Sequence, residues 1–170
     1  MSRLRLLGRD EAPLLARAAY ADDGSASPLK RALANAPDQL ETFLPFVGQI
    51  FGDGAVDAAT KELVVVRVSH LNACRYCLAA HRPLAVESGV PSAQLAAICD
   101  EAPLESLPER ERTLVEWVDR YTLDPGCIDD ELVASLLDHF RDDQLVELAL
   151  LAGATQLLNH FCTAFDIPPG

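Results

Sequence analysis

The chain has 170 residues, of which 49% are apolar and 24% are charged. This composition excludes a disordered protein and is typical of one folded domain, which we expect to span residues 1–170. Lysine and arginine number 14 against 26 aspartates and glutamates, so the net charge is −12. Because such an acidic surface repels phosphate backbones and anionic lipids, we expect neither a nucleic-acid partner nor a membrane partner.

No apolar run approaches the roughly 18 residues that cross a bilayer, and the first nine residues do not resemble a secretion signal. The five cysteines are few and odd in number, which argues against a secreted disulfide scaffold. We therefore expect a reducing compartment, the cytoplasm. There, two closely spaced cysteines indicate redox or metal chemistry more often than a structural disulfide.

Helix-forming residues dominate and no run alternates in polarity, so the predicted fold class is all-α. Residues 63–68 are rich in valine and have strand propensity, but no second strand-like run exists to pair with them, so we assign them to a helix. Asp57 and Asn72 are expected N-caps, and Gly89 a helix stop. After a polar loop at 22–28, the expected helices are, in chain order, 37–51, 57–71, 72–88, 91–100, 108–121, 129–140 and 142–165.

Four residues in the middle of the chain have a spacing that suits redox chemistry: Glu62, Cys74, Cys77 and His81. Two cysteines three residues apart are neighbours on one helix face, close enough to form a disulfide. His81 lies one turn beyond Cys77 on the same face. If Asn72 caps this helix, Cys74 falls in the first turn, where the helix dipole and free N–H groups favour a thiolate.

Glu62 belongs to the preceding helix. If the chain reverses near Asn72 and the two helices run antiparallel, Glu62 and His81 lie about 15 Å and about 14 Å from the turn. The carboxylate would then orient the imidazole, and the imidazole would move a proton to or from Cys77. Lowering the thiol pKa alone gives little increase in rate, because the nucleophilicity of the thiolate falls with its pKa. General acid–base catalysis by the relay contributes roughly 10²–10⁴-fold, so the two cysteines need Glu62 and His81.

The pattern resembles the core motif of the alkylhydroperoxidase D-like (AhpD-like) proteins in the carboxymuconolactone decarboxylase superfamily. In this motif, a glutamate is followed after eleven residues by Cys-x-x-Cys, and a histidine follows after three more. Residues 71–81 are similar to the uncharacterised peroxidase-related branch, and the resemblance is strong over about 57–107. It implies an all-helical fold with an antiparallel helix pair that carries the cysteines. It also implies a homo-oligomer, commonly a trimer or hexamer.

The same resemblance implies reduction of a hydroperoxide substrate through a disulfide, with no metal or other cofactor. By this analogy Cys77 is the peroxidatic thiol, Cys74 the resolving thiol, and Glu62 completes the relay with His81. An external dithiol or a lipoyl-type reductant would restore the cysteine pair.

Two departures from the family pattern concern the relay. Tyr76 stands where some members have a second histidine, and Pro83 falls inside the predicted helix, where we expect it to cause a kink. Tyr76 and His70 are candidate accessory residues of the site. The decarboxylase branch generally lacks the cysteine pair, so the lactone reaction is disfavoured.

Two other functions compete with the peroxidase hypothesis. One is a general disulfide reductase or redox sensor, in which the cysteine pair cycles but peroxide is not the substrate. The other is a non-catalytic zinc-binding module that uses both cysteines and His81, with Glu62 or water as the fourth ligand. The remaining cysteines are expected to be inert core or surface thiols: Cys99, Cys127 and Cys162.

Overall fold

The computed structural model describes residues 2–170, and every regular element in that range is helical. The all-α prediction is therefore confirmed. Three short 3-10 helices occupy Leu14–Ala19, Leu104–Ser106 and Pro125–Cys127. The α-helices are α1 (Pro28–Leu33), α2 (Pro37–Phe51), α3 (Ala58–Leu71), α4 (Arg75–Glu87), α5 (Ser92–Ile98), α6 (Glu109–Leu123), α7 (Asp130–Leu137) and α8 (Asp142–Ala164).

Most of these helices begin where the local signals predicted. The Asp57 carboxylate caps α3 by accepting a hydrogen bond of 2.9 Å from the Thr60 N–H. Asp129 caps α7 in the same way, but α7 ends at Leu137, three residues before its predicted end. Helix α1 was not predicted, because a helix of six residues shows little periodicity.

The predicted start of α4 is wrong by two residues. Asn72 closes α3 as its C-cap, Ala73 adopts a left-handed φ of 49°, and Cys74 is the N-cap of α4. Because alanine rarely adopts a positive φ, the sequence pattern favoured a cap at Asn72 instead. Pro83 removes one backbone donor inside α4, yet the helix continues to Glu87.

Helix α3 is the centre of the molecule and packs against α4, α5, α6 and α8. The valine-rich segment predicted as a helix is helical, and Val64, Val65 and Val68 pack with Leu148 and Leu151 of α8. Tertiary burial on all sides of α3 thus outweighs the strand propensity of these β-branched residues.

Helix α3 also carries a buried cation at its first turn. Lys61 forms an ion pair with Glu147 of α8, and its ammonium donates hydrogen bonds to the carbonyls of Ile50 (3.3 Å) and Gly52 (2.5 Å). The Glu147 carboxylate accepts a further hydrogen bond of 2.7 Å from the Ala55 N–H. These contacts connect α3 and α8 to the end of α2, and thereby fix the helices that carry the site.

Helix α8 has the length and mean hydropathy, 1.3, of a membrane-spanning helix. The prediction that no segment approaches these values is therefore wrong. Its packing nonetheless identifies α8 as a core helix, because Leu148, Leu151 and Cys162 are buried against neighbouring helices. One such helix is weak evidence for a membrane span when one of its faces forms the protein core.

We expect Lys61→Met to destabilise the fold by roughly 3–5 kcal/mol, because it leaves the Glu147 carboxylate without its buried counterion. Urea unfolding measures the change in free energy. Arg5→Met is the matched control, because its partner Glu11 and Arg5 itself are well exposed and the pair contributes at most about 1 kcal/mol. Equal losses in the two variants would contradict the role assigned to Lys61.

Candidate active site at the start of helix α4

The chain reverses between α3 and α4 so that the Cys74 sulfur lies at the N-terminus of α4. The Cys74 N–H donates a 2.9 Å hydrogen bond to the Ser69 carbonyl, which holds the reversal in place. As N-cap residue, Cys74 accepts a 3.3 Å hydrogen bond at Sγ from the Cys77 N–H. A negative charge on this sulfur is stabilised by that N–H and by the positive end of the helix dipole.

Glu62 and His81 meet across the antiparallel pair of α3 and α4, as the sequence predicted. Glu62 Oε2 lies 2.9 Å from His81 Nδ1, and both side chains are largely buried, with 15% and 20% of their surfaces exposed. A carboxylate at Nδ1 favours a proton on that nitrogen, which leaves Nε2 free to accept one. Phe51 at the end of α2 packs against the imidazole, with ring centroids 5.9 Å apart.

The sulfur atoms of Cys74 and Cys77 lie 2.8 Å apart, and both residues are buried free thiols. Helical spacing alone placed them on one face, and the structure brings them into direct contact. The Cys77 N–H already donates to Cys74 Sγ, which favours a negative charge on Cys74 rather than on Cys77.

A third cysteine, Cys162 in the last turn of α8, joins this pair. The sulfurs of Cys74, Cys77 and Cys162 all lie within 4.8 Å of one another, and all three residues are buried. Sequence analysis expected Cys162 to be inert, because nothing in the local pattern shows how α8 packs against α4. Cys99 and Cys127 do not join the sulfur cluster, and Cys127 is exposed.

Hydrogen bonds among the three sulfurs decide which one carries the charge. The thiols of Cys162 and Cys77 donate toward Cys74 and lower its pKa, and the Cys77 N–H adds to this effect against the opposing effect of burial. For Cys77, a hydrogen bond with Cys162 lowers the pKa. The hydrogen bond to Cys74, burial and the charge of Cys74 together raise it by more, so the net effect is a raised pKa. The pKa of Cys162 is raised by its hydrogen bonds to Cys74 and Cys77 and by burial.

The N-cap position and the hydrogen bonds among the sulfurs therefore favour a negative charge on Cys74 over one on Cys77 or Cys162. The family resemblance instead implied Cys77 as the attacking thiol. The difference follows from the N-cap position of Cys74, which the sequence had assigned to Asn72.

A buried amide that sequence reasoning missed lies behind the cysteines. Asn159 of α8 is fully buried, donates to Ser69 Oγ at 3.1 Å, and accepts from the Asn72 amide at 3.2 Å. Its hydrogen bond toward the Cys77 sulfur lowers the pKa of that thiol slightly against the larger raising effects. Asn159 thus connects α3, α4 and α8 at the level of the thiols.

A small cavity of about 60 Å³ leads to the sulfurs. Cys74 and Cys162 line it, together with Tyr76 and the end of α8, whereas Cys77 does not. A cavity of this size suits a small polar head group better than a bulky ligand.

The two accessory candidates lie in different places. Tyr76 is half-buried at the cavity wall, where burial raises the pKa of its phenol and a hydrogen bond to Ser27 opposes the rise. His70 lies apart from the cysteines, with Nε2 2.9 Å from Asp100 Oδ2, in a network that also contains the buried Arg67. Only Tyr76 is therefore placed to contact a bound substrate.

The zinc-ligand set of the alternative hypothesis is not assembled among the described residues. His81 Nδ1 is engaged by Glu62, and the third donor next to the two cysteines is Cys162 instead of the imidazole. Three thiols without a histidine fit a soft-metal site, but the same three thiols equally fit disulfide chemistry.

The model of the carboxymuconolactone decarboxylase family matches residues 37–119, which include α2, α3, α4 and both cysteines. The uncharacterised protein YnjA of Escherichia coli is 30% identical over 115 residues. These cover 66% of this chain and 62% of YnjA, so the chain spans less than two thirds of that relative.

Solved structures share the fold across nearly the whole chain. The AhpD core of a peroxidase-related protein from Ralstonia eutropha has a TM-score of 0.86 at 19% identity, covering 99% of this chain and 92% of that one. The debrominase Bmp8 has a TM-score of 0.76 at 19% identity, covering 96% and 90%. With the shared fold, the family match shows that residues 37–119, which contain the site, belong to the carboxymuconolactone decarboxylase family and that the chain has the AhpD-like fold.

Proposed function

We propose that this protein is a thiol-dependent peroxidase that reduces small hydroperoxides through the Cys74–Cys77 dithiol. Two contacts support this most: Glu62 Oε2 lies 2.9 Å from His81 Nδ1, and the sulfurs of Cys74 and Cys77 are in direct contact at the start of the same helix that carries His81. A carboxylate-oriented imidazole one helical turn from a thiol is suited to proton-transfer catalysis.

The first step is attack by the Cys74 thiolate on an oxygen of the hydroperoxide that enters the cavity. The O–O bond breaks, Cys74 becomes a sulfenic acid, and the alkoxide leaves and takes a proton from solvent to become the alcohol. Cys74 is assigned to this step because it carries the charge and lines the cavity, whereas Cys77 does neither.

The second step forms the disulfide and uses the relay. His81 Nε2 accepts the proton of the Cys77 thiol, and Cys77 then attacks the Cys74 sulfur. Hydroxide leaves and is protonated to water, so two thiols supply both electrons for one peroxide. His81 follows Cys77 by one helical turn, which places both side chains on one face of α4, and Glu62 keeps the required ring nitrogen unprotonated.

The pair is restored by an external reductant, which we propose to be a dithiol of the lipoyl type. The sulfurs are buried and the cavity is narrow, so a slender dithiol reaches them and a bulky protein disulfide does not. The restricted access to the sulfurs argues against the alternative of a general disulfide reductase, which must admit bulky protein disulfides. We also propose a cytoplasmic location, because in a reducing compartment a close cysteine pair serves redox chemistry more often than it forms a structural disulfide.

The similarity to the debrominase Bmp8, of which a cysteine-to-alanine variant binds 2,3,4-tribromopyrrole, raises debromination as a second candidate reaction. The small cavity at Cys74 favours a hydroperoxide head group over a substituted ring for this chain. We therefore propose peroxide reduction as the function.

A homo-oligomer is the proposed assembly. On α8, Val146, Leu150 and Leu157 are more than half exposed and recur at helical spacing, and Phe46 of α2 is 51% exposed beside the groove that Leu157 helps to line. An exposed apolar face of this kind is unfavourable in a monomer and suits contact with a second copy.

We expect Cys74→Ser to abolish peroxide consumption, because it removes the thiolate that attacks. Cys77→Ser should still be oxidised at Cys74, but its steady-state turnover should fall because Cys74 has lost its partner in the main disulfide. Stopped-flow consumption of tert-butyl hydroperoxide with reduced lipoamide measures turnover. Intact-mass analysis with dimedone locates the sulfenic acid.

Cys127→Ser is the matched control, since this exposed thiol is outside the cluster, and it should behave like the native chain. Sulfenic acid at Cys77 in Cys74→Ser would reverse the assigned order and restore the one that the family resemblance implies. Normal turnover in both active-site variants would refute the peroxidase proposal. Fast disulfide exchange without peroxide consumption would favour the reductase or sensor.

We expect His81→Gln to slow disulfide formation by roughly 10²–10⁴-fold, because it removes the base that accepts the Cys77 proton. Sulfenic-acid formation at Cys74 should change much less. Rapid chemical quench after one equivalent of peroxide separates the two steps. Glu62→Gln should slow the same step by a smaller factor, as expected of a positioning residue.

His70→Gln is the control for the relay, because His70 binds Asp100 and not the dithiol. Equal slowing of both steps by His81→Gln, or slowing by His70→Gln as large as that by His81→Gln, would contradict the relay.

We expect the native chain to elute as a multimer in size-exclusion chromatography with light scattering. Leu150→Glu should lower the measured mass toward that of one chain, because a charge on the apolar face of α8 opposes association. Glu87→Gln on the exposed end of α4 should leave the mass unchanged. A monomeric native chain would disprove the proposed assembly.

A further inference from the structure

Cys162 is the one member of the sulfur cluster that the proposed catalytic cycle leaves unused. Its sulfur lies within 4.8 Å of both Cys74 and Cys77, and only 2% of the residue is exposed. It comes from α8, far along the chain, whereas the other two come from the start of α4. The cluster is therefore a dithiol with a third thiol delivered by a separate helix.

The cavity gives Cys162 a closer relation to Cys74 than to Cys77. Cys74 and Cys162 both line its wall, together with Thr163, and Cys77 does not. The Thr163 hydroxyl also contributes a hydrogen bond to Cys74. An oxidant that enters the cavity and oxidises Cys74 therefore leaves the sulfenic acid facing Cys162.

Both sulfurs also sit at the ends of helices, where small backbone movements are least costly. Cys74 is the N-cap of α4 and follows the left-handed Ala73. Cys162 lies in the last turn of α8, three residues before the C-cap Phe165 and just ahead of the left-handed Asp166. Because hydrogen bonding is weakest in terminal turns, these two segments can approach without breaking a helix interior.

We propose that Cys162 is a second resolving thiol, which forms a disulfide with Cys74 as an alternative to the Cys74–Cys77 disulfide. This role rests on the proposed function, because it begins from Cys74 sulfenic acid. The Cys162 sulfur attacks the Cys74 sulfur, an S–S bond forms, and the S–O bond breaks. The hydroxide leaves as water with the proton of the Cys162 thiol.

Two alternative disulfides protect the attacking sulfur. A sulfenic acid that meets a second peroxide before it is resolved is converted irreversibly to a sulfinic acid. A second thiol against the same sulfur raises the chance that condensation comes first. The Cys74–Cys162 disulfide would also connect α4 covalently to α8, and thiol–disulfide exchange with Cys77 would return it to the main cycle.

The test oxidises Cys77→Ser, in which Cys162 is the only other thiol of the cluster. After one equivalent of tert-butyl hydroperoxide, we expect intact mass to show the loss of two hydrogen atoms per chain. Proteolysis should yield the peptide pair that joins residues 74 and 162. Cys77→Ser/Cys162→Ser should stop at the sulfenic acid, trapped by dimedone, and over-oxidise to the sulfinic acid several-fold faster than Cys77→Ser.

Cys77→Ser/Cys127→Ser is the matched control and should behave like Cys77→Ser, because Cys127 is exposed and outside the cluster. The native chain, oxidised under the same conditions and digested, should contain a smaller share of the 74–162 peptide pair. This second measurement applies even if Cys77→Ser folds poorly.

A parallel oxidation with diamide separates this inference from the peroxidase proposal, because diamide joins two thiols without a sulfenic acid. If Cys77→Ser forms a 74–162 disulfide with diamide but not with peroxide, the two sulfurs can reach each other, but the role of Cys162 as a second resolving thiol is overturned. Sulfenic acid at Cys74 that persists in Cys77→Ser would overturn it with the peroxidase proposal intact. No 74–162 disulfide with either oxidant would exclude any redox partnership of Cys162.

Discussion

The hydrogen bond between Glu62 and His81 is the interaction on which the arrangement of the site depends. Helix α3 is buried on nearly all sides, so a carboxylate on it needs a partner, and α4 supplies one 19 residues later in the chain. This contact joins the two helices of the antiparallel pair at the level of Glu62 and His81. It also determines which ring nitrogen of His81 is free, and with it the direction in which a proton can move.

The three buried sulfurs show a second constraint, which is where a negative charge can be placed in an apolar interior. A buried thiolate is unfavourable unless donors surround it. Cys74 has such donors because it ends the left-handed turn after α3 and accepts the Cys77 N–H. Cys77 and Cys162 do not lie at such a helix start, and their thiols act as hydrogen-bond donors. The three cysteines therefore differ in how well each sulfur accommodates a negative charge, although their side chains are chemically identical.

Local spacing was enough to predict part of this site. Glu62 and His81 lie at similar distances from one chain reversal, so helical geometry alone placed them level, and the structure confirms it. Helix α3 was predictable in spite of its valines because no strand was available to pair with them. The cap was misplaced because Ala73 adopts a backbone conformation that alanine rarely takes. Cys162 and Asn159 could not be predicted, since their positions depend on how α8 packs against α3 and α4, and local periodicity carries no information on that register.

The N-cap position of Cys74 also bears on the direction of the redox couple. In the reduced state, a negative charge on Cys74 is stabilised by the Cys77 N–H and by hydrogen bonds from two thiols. Formation of a disulfide removes the charge that these donors stabilise, and it leaves the first turn of α4 with a weaker cap. Stabilising the reduced form in this way raises the reduction potential and makes the disulfide a better oxidant. The same hydrogen bonds that would prepare Cys74 for attack in the proposed cycle therefore also favour transfer of electrons from an external dithiol back to the site, so one geometric feature suits both halves of that cycle.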